Sequence, residues 1–161
     1  MTENHLAQTL RAFLADALKD FSYLAQDGKT EGSPKIINGF LPPKKEPDGR
    51  DWPFVVVRPV EGSIDEEETS ISVEIIVGCW SREFEGYEYS LNVLSRIRNA
   101  LTMLPARTLN SRFRLAFPIR WEMQADQPYP SWTAVMVTDW ILRTPDVRTE
   151  KEDEIYGYFQ K

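Results

Sequence analysis

The chain has 161 residues, 42% of them apolar and 27% charged, with a formal charge of −6. That length fits one domain and the composition excludes wholesale disorder. A global basic footprint for nucleic acid is absent, and one cysteine with one histidine excludes an internal disulfide, a zinc finger and a Cys/His metal cluster.

The first segment reads as a helix over about Thr2 to Leu24. Leu6, Leu10, Phe13, Leu14, Ala17, Leu18 and Phe21 recur at spacings of three and four and form one apolar stripe. Thr2 is a suitable N-cap, Glu3 suits the positive end of the helix, and Gly28 is the expected stop. Residues 28–53 carry five prolines and four glycines, so they read as a long connection, with Ile36, Ile37, Phe40 and Leu41 apolar enough to pack. Phe54 to Arg58 is a short β-branched strand bounded by Pro53 and Pro59. A turn-like stretch from Gly62 to Glu68 follows, with four consecutive acids, and joins it to the strand Thr69 to Cys79 as a hairpin or an extended arm. In that strand Ile71, Val73, Ile75 and Val77 share one face.

Tyr87, Leu91, Leu94, Ile97, Leu101 and Leu104 place a second helix over Tyr87 to Leu104, ended by Pro105. Arg112 to Met123 is a strand with Phe113, Leu115, Phe117, Ile119, Trp121 and Met123 on one parity and the arginines on the other. Pro118 cannot donate to a ladder, which predicts an edge strand or a bulge there. After a turn containing Pro128 and Pro130, Trp132 to Leu142 forms the last strand. The order α-β-β-α-β-β predicts an α+β domain over residues 1–145, built on a mostly antiparallel four-stranded sheet with two main helices packed on it. Residues 146–161 read as a polar C-terminal extension. Its Ile155, Tyr156, Tyr158 and Phe159 dock on another chain, fold back on their own domain, or simply fray.

Membrane and export chemistry are not expected. No run nears the roughly 20 apolar residues of a membrane span. The opening residues Thr2, Glu3, Asn4 and His5 carry no positive n-region, so a reducing cytoplasm is the expected setting. Catalysis finds little to work with. His5 lies in the first helical turn, where a solvated surface role is the ordinary one, and Cys79 closes an apolar strand, where a thiol is usually a small buried hydrophobe. A Cys–His pair has no support in the pattern. Asp65, Glu66, Glu67 and Glu68 match no cation-loop spacing, and no Gly-rich phosphate loop exists.

Charge is uneven along the chain. Residues 1–79 carry a net −6, residues 80–120 a net +4 in which every base is Arg, and residues 121–161 a net −4. An Arg-rich middle between acidic ends suits a polar molecule that pairs one face with a different face of its neighbour. Intramolecular pairing is the simpler alternative. Arg107, Arg112, Arg114 and Arg120 could also hold phosphate. However, the aromatics of their strand lie on the opposite parity, which does not make a stacking platform, so protein contact is the preferred reading.

Three segments carry a family resemblance: Asp51–Pro59 (DWPFVVVRP), Gly86–Leu101 (GYEYSLNVLSRIRNAL) and Pro118–Trp132 (PIRWEMQADQPYPSW). With their order, they resemble the tail terminator, or tail completion, proteins of long-tailed bacteriophages, which are encoded in phage and prophage structural gene clusters and act in head–tail joining. The resemblance covers about residues 50–145. It implies a ring, commonly a hexamer, that sits on the finished tail tube, ends tube polymerisation and offers a surface for head attachment. It implies no enzymatic activity, no cofactor and no metal. The implied partners are further copies of the chain, the tail tube protein and a head connector or neck protein. Genome DNA would pass through without specific binding, and no membrane is involved. The implied locations are the host bacterial cytoplasm during assembly and then the virion tail. Under this reading Arg112, Arg114 and Arg120 are candidates for intersubunit pairing. Asp65, Glu66, Glu67 and Glu68 are candidates for a channel or tube-facing loop, where like charge disfavours phosphate binding. A head-completion or neck protein on the portal side is the nearest alternative. A monomeric adaptor-type binding module is another, and self-association separates it from a ring.

Overall fold

The computed structural model describes residues 2–24, 31–41 and 53–144. Helix α1 spans Thr2–Ala17 and α2 spans Tyr87–Thr102. The strands are β1 (Tyr23–Leu24), β2 (Glu31–Gly32), β3 (Lys35–Asn38), β4 (Phe54–Ile64), β5 (Glu68–Trp80), β6 (Thr108–Leu109), β7 (Phe113–Glu122) and β8 (Ser131–Arg143). β1 and β2 form a small antiparallel pair, and the others form one sheet in the order β3-β4-β5-β8-β7-β6.

The α+β class holds, but the expected α-β-β-α-β-β order gains short strands before β4 and before β7, and the expected four-stranded antiparallel sheet is corrected to a six-stranded mixed one. Its centre, β4-β5-β8-β7, is antiparallel throughout. β3 adds in parallel to β4, with Lys35 opposite Phe54 and Asn38 opposite Val57. β6 adds a two-residue pairing at the other margin. Both additions are too short to show a period, and β3 sits between Pro34 and Gly39 inside the presumed connection. The segments 28–30, with the expected stop Gly28, and 42–52 of that connection lie outside the described residues, as does the extension 146–161.

Both helices pack on one face of the sheet. Leu6, Leu10, Leu14 and Leu18 of the first helical segment and Val93, Leu94, Ile97 and Leu101 of α2 meet Val55, Val57, Ile71, Val73, Ile75, Val77, Phe113, Leu115, Met136 and Trp140. Each fully buried aliphatic side chain contributes about 1.5–3 kcal/mol. The opposite face bears no helix among the described residues, and Ser72, Glu74, Ile76, Val135, Val137 and Ile141 are half-buried there.

Element ends differ from the periodic reading in instructive ways. α1 stops at Ala17 rather than Leu24, because Phe21, Ser22 and Tyr23 favour extended backbone over helix and Tyr23 pairs with Gly32. In α2 the buried stripe runs through Ser90 and Val93, while Tyr87 is exposed and Leu91 half-buried. The Ser90 hydroxyl donates to the Trp132 carbonyl at 2.7 Å, which turns that small residue toward the sheet. Pro59 does not end β4, because the register shifts by one residue between Pro59 and Glu61 and the strand runs on to Ile64. The register of β7 shifts between Ala116 and Arg120, the bulge that Pro118 predicts.

The turn between β6 and β7 places Asn110 and Ser111 at φ 55° and 54°, closed by the Arg112 amide donating to the Leu109 carbonyl at 3.2 Å. Asn tolerates this left-handed region, whereas Ser is strained there by about 1–2 kcal/mol. Ser111→Gly removes that strain and returns about 0.5–1 kcal/mol as extra unfolded-chain entropy. The expected net result is a gain of about 0.5–1 kcal/mol, read as a higher urea midpoint at unchanged slope. A lowered midpoint would contradict it.

Candidate functional site

Two clefts among the described residues are open surfaces. One such surface is the hairpin end of the sheet. Asp65 begins the β4–β5 turn. Its Oδ1 accepts from the Glu68 amide at 2.7 Å and the Glu67 amide at 2.8 Å, and these two bonds hold its carboxyl below the usual carboxylate range. Asp65 is therefore the turn former, and it is exposed at the tip together with Glu66, Glu67 and Glu68.

The tip is anchored and is not a free arm. The Thr144 amide donates to the Glu67 carbonyl at 2.9 Å, and its hydroxyl donates to the Asp65 carbonyl at 3.0 Å. A hydroxyl has one proton, so Thr69 is the donor in its 3.0 Å bond to the Thr144 oxygen.

Two of the three predicted interface arginines border this tip. Arg114 Nη2 lies 4.0 Å from Glu68 Oε1, with both side chains more than half exposed, so the pair adds little stability. Arg112 Nη1 lies 3.1 Å from His5 Nδ1. A guanidinium only donates, so Nδ1 accepts and the histidine proton of that pair sits on Nε2. The His5 ring meets Phe113 edge-on at 5.7 Å. Arg112, Arg114 and Arg143 line an open cleft of about 380 Å³ with Glu67 and Glu68.

Arg120 is not part of this group. Arg114 is opposite Ile141 and Arg120 is opposite Val137, so about 13 Å of strand separates them. Among the described residues Arg120 makes no ion pair, hydrogen bond or ring contact. Arg107 stacks on Phe117, its guanidinium 4.7 Å from the ring centre.

The far end of the sheet carries an aromatic surface that sequence reasoning missed. Phe84 stacks on Tyr129 with centroids 6.4 Å apart, Tyr129 meets Trp132 edge-on at 6.0 Å, and Tyr87 tilts over Trp132 at 6.3 Å. Hydrogen bonds fix two of these rings. Tyr129 Oη donates to the Arg82 carbonyl at 2.6 Å, and Trp132 Nε1 donates to the Ser81 carbonyl at 2.9 Å. Phe84 is 84% exposed and Tyr129 54% exposed, so the cluster offers rigid apolar area to a partner. Its members come from two stretches more than 40 residues apart, which no local pattern links.

Cys79 and His5 do not meet. Cys79 pairs with Trp132 at the aromatic end, whereas His5 touches Phe113 at the tip end, about ten strand residues or roughly 30 Å away. Burial pushes the Cys79 thiol up to about 11, against a smaller opposing effect of the Ser90 hydroxyl. At pH 8 almost no thiolate forms. Iodoacetamide at that pH should leave the native protein unmodified and label it in urea, as read by mass spectrometry. Rapid labelling of the native chain would show that the site is open.

No group of three His, Cys, Asp or Glu among the described residues could hold a metal ion. Among the described residues no helix is long and apolar enough to cross a membrane. No known protein family and no curated protein matches the chain.

Proposed function

We propose that the protein is a structural component of a phage or prophage tail that forms a ring on the tail tube, ends tube growth and provides a surface for the head connector. The observation that carries this reading is the two unlike ends of one rigid sheet. One end presents Glu66, Glu67 and Glu68 beside Arg112 and Arg114, and the other presents Phe84, Tyr87, Tyr129 and Trp132. A ring seated between tube and connector must bind different surfaces above and below, and an element with chemically distinct ends is suited to that. The resemblance of residues 50–145 to tail terminators supports the same reading. The exposed glutamates are the tube-facing or channel-facing residues in this proposal, and Asp65 shapes their turn.

The test uses capless tail tubes, incubated with and without the protein and viewed by electron microscopy while tube protein is added. The expected result is a ring at one tube end and arrested elongation. Tubes that lengthen unchanged, with nothing bound at their ends, would remove the proposal.

A further inference from the structure

Among the described residues both margins of the main sheet are only partly covered. β3 pairs with β4 over Phe54–Val57, and the Gly39 amide adds one bond to Val57. From Pro59 to Ile64 the outer margin of β4 faces no strand among the described residues. At the other side β6 pairs only with Phe113 and Arg114, which leaves Leu115–Glu122 of β7 uncovered in the same sense.

Each uncovered margin exposes two large apolar side chains. On β4 these are Val60 at 47% and Ile64 at 71%, and on β7 Phe117 at 49% and Trp121 at 53%. The uncovered length of β4 carries only Glu61 and that of β7 carries Arg120 and Glu122, and the opposite charge appears when the flanking residues are counted with them. Residues 59–69 contain Glu61, Asp65, Glu66, Glu67 and Glu68 and no base. Residues 107–122 contain Arg107, Arg112, Arg114 and Arg120 against the single acid Glu122.

Register and direction fit one another. β4, β5, β8 and β7 alternate in direction, so β4 and β7 run oppositely. A copy rotated about an axis along the strands therefore brings its β4 antiparallel to the first copy's β7. Glu61 is level with Asp139 through Ser72, and Arg120 is opposite Val137, two residues away on the same strand. Both lack an intramolecular partner among the described residues. The two register shifts also share one level. Pro59 is level with Thr138 through Val73, and the β7 shift spans the same residue. Two prolines without N–H groups, each at a bulge, prevent a long open ladder and leave side chains to decide the pairing.

We infer that the β4 margin of one copy docks against the β7 margin of a second copy, with Glu61 facing Arg120 and Val60 and Ile64 packing toward Phe117 and Trp121. The contact is head-to-tail, so repetition closes a ring when the rotation allows it. This inference rests on the ring reading above and names the surfaces that would make the ring.

The test is size exclusion with light scattering over a concentration series, together with microscopy of tube ends, on the full chain and three variants. Arg120→Glu and Glu61→Arg each set like charges against one another, and each should weaken association at least about tenfold. The double variant exchanges both signs and should regain most of the oligomer. Both residues are exposed, so folding is expected to survive, and circular dichroism verifies it. An oligomer that persists in both single variants, or a double variant no better than either, would overturn the inference and leave the ring reading standing. A wild-type chain that stays monomeric in solution and at tube ends would overturn both.

Discussion

Trp140→Ala should cost about 4 kcal/mol, close to the largest effect one substitution has on a domain of this size. Trp140 is fully buried in the centre of the sheet, opposite Leu115 on β7 and Ile71 on β5. Its Nε1 donates to Thr138 Oγ1 at 2.9 Å, and that hydroxyl donates in turn to the Val73 carbonyl at 3.0 Å. Truncation empties an indole-sized space between layers that cannot close far, and it leaves the Thr138 lone pair without its donor. Trp140→Phe separates the two effects. It keeps most of the volume and loses the hydrogen bond, so about 1–2 kcal/mol is expected. With about 5–15 kcal/mol holding a native domain together, the Ala variant should melt roughly 10–15 °C lower. Calorimetry on both variants decides the matter. Near-equal losses for Phe and Ala would mean that the hydrogen-bond chain dominates and the packing argument is wrong. Trp121→Ala is the control. Trp121 is 53% exposed, so the isolated domain should stay within about 0.5 kcal/mol of wild type.

The core was legible because its period is long enough to count. Ile71 to Val77 alternates over four apolar residues and Leu94, Ile97 and Leu101 step around one helix face, and all of them are buried. The Pro118 bulge was legible for a different reason, since a missing N–H has a definite consequence in any ladder. β3 escaped because four residues of which one is exposed and three are half-buried show no period. The rotation of α2 also escaped. Apolarity alone favours Tyr87 and Leu91, while a hydrogen bond from Ser90 to a strand carbonyl turns another face inward. Arg114 and Arg120 stand opposite Ile141 and Val137 on one face, but parity fixes a face and not a height, and Arg120 lies on the far side of the bulge. Asp65 looked equivalent to its three neighbours until its carboxylate was seen to accept two amides of its own turn. The aromatic end arises only when the sheet aligns the end of β5 with the start of β8, a long-range event that neither composition nor spacing records.

Gly86→Ala should destabilise the protein by about 3 kcal/mol, although the backbone would welcome the change. Gly86 has φ −55° and ψ −28°, an ordinary helical conformation at the start of α2. At that backbone conformation alanine would gain about 0.4–1 kcal/mol by lowering the entropy of the unfolded chain. Space decides otherwise. An added Cβ would stand 2.3 Å from Trp132 Nε1, 2.7 Å from Ser81 Cβ and 2.8 Å from Trp132 Cδ1. The indole is not a flexible end that swings aside, because it donates to the Ser81 carbonyl and is packed by Tyr87 and Tyr129. Relieving the overlap means moving the ring, breaking that bond, or pushing the start of α2 off the sheet. Overpacking of this kind costs about 1–3 kcal/mol or more, and an indole N–H that loses its acceptor adds about 1–3. Trp132→Ala removes two of the three offending atoms. Gly86→Ala should therefore cost much less in that background than in wild type, a coupling that a urea double-mutant cycle measures directly. Additive losses would show that Trp132 does not set the limit at Gly86. The same clash reaches function, because a displaced Trp132 takes Tyr87 and Tyr129 with it. If the aromatic end contacts tube or connector, Gly86→Ala should lose that binding even at temperatures where the domain remains folded.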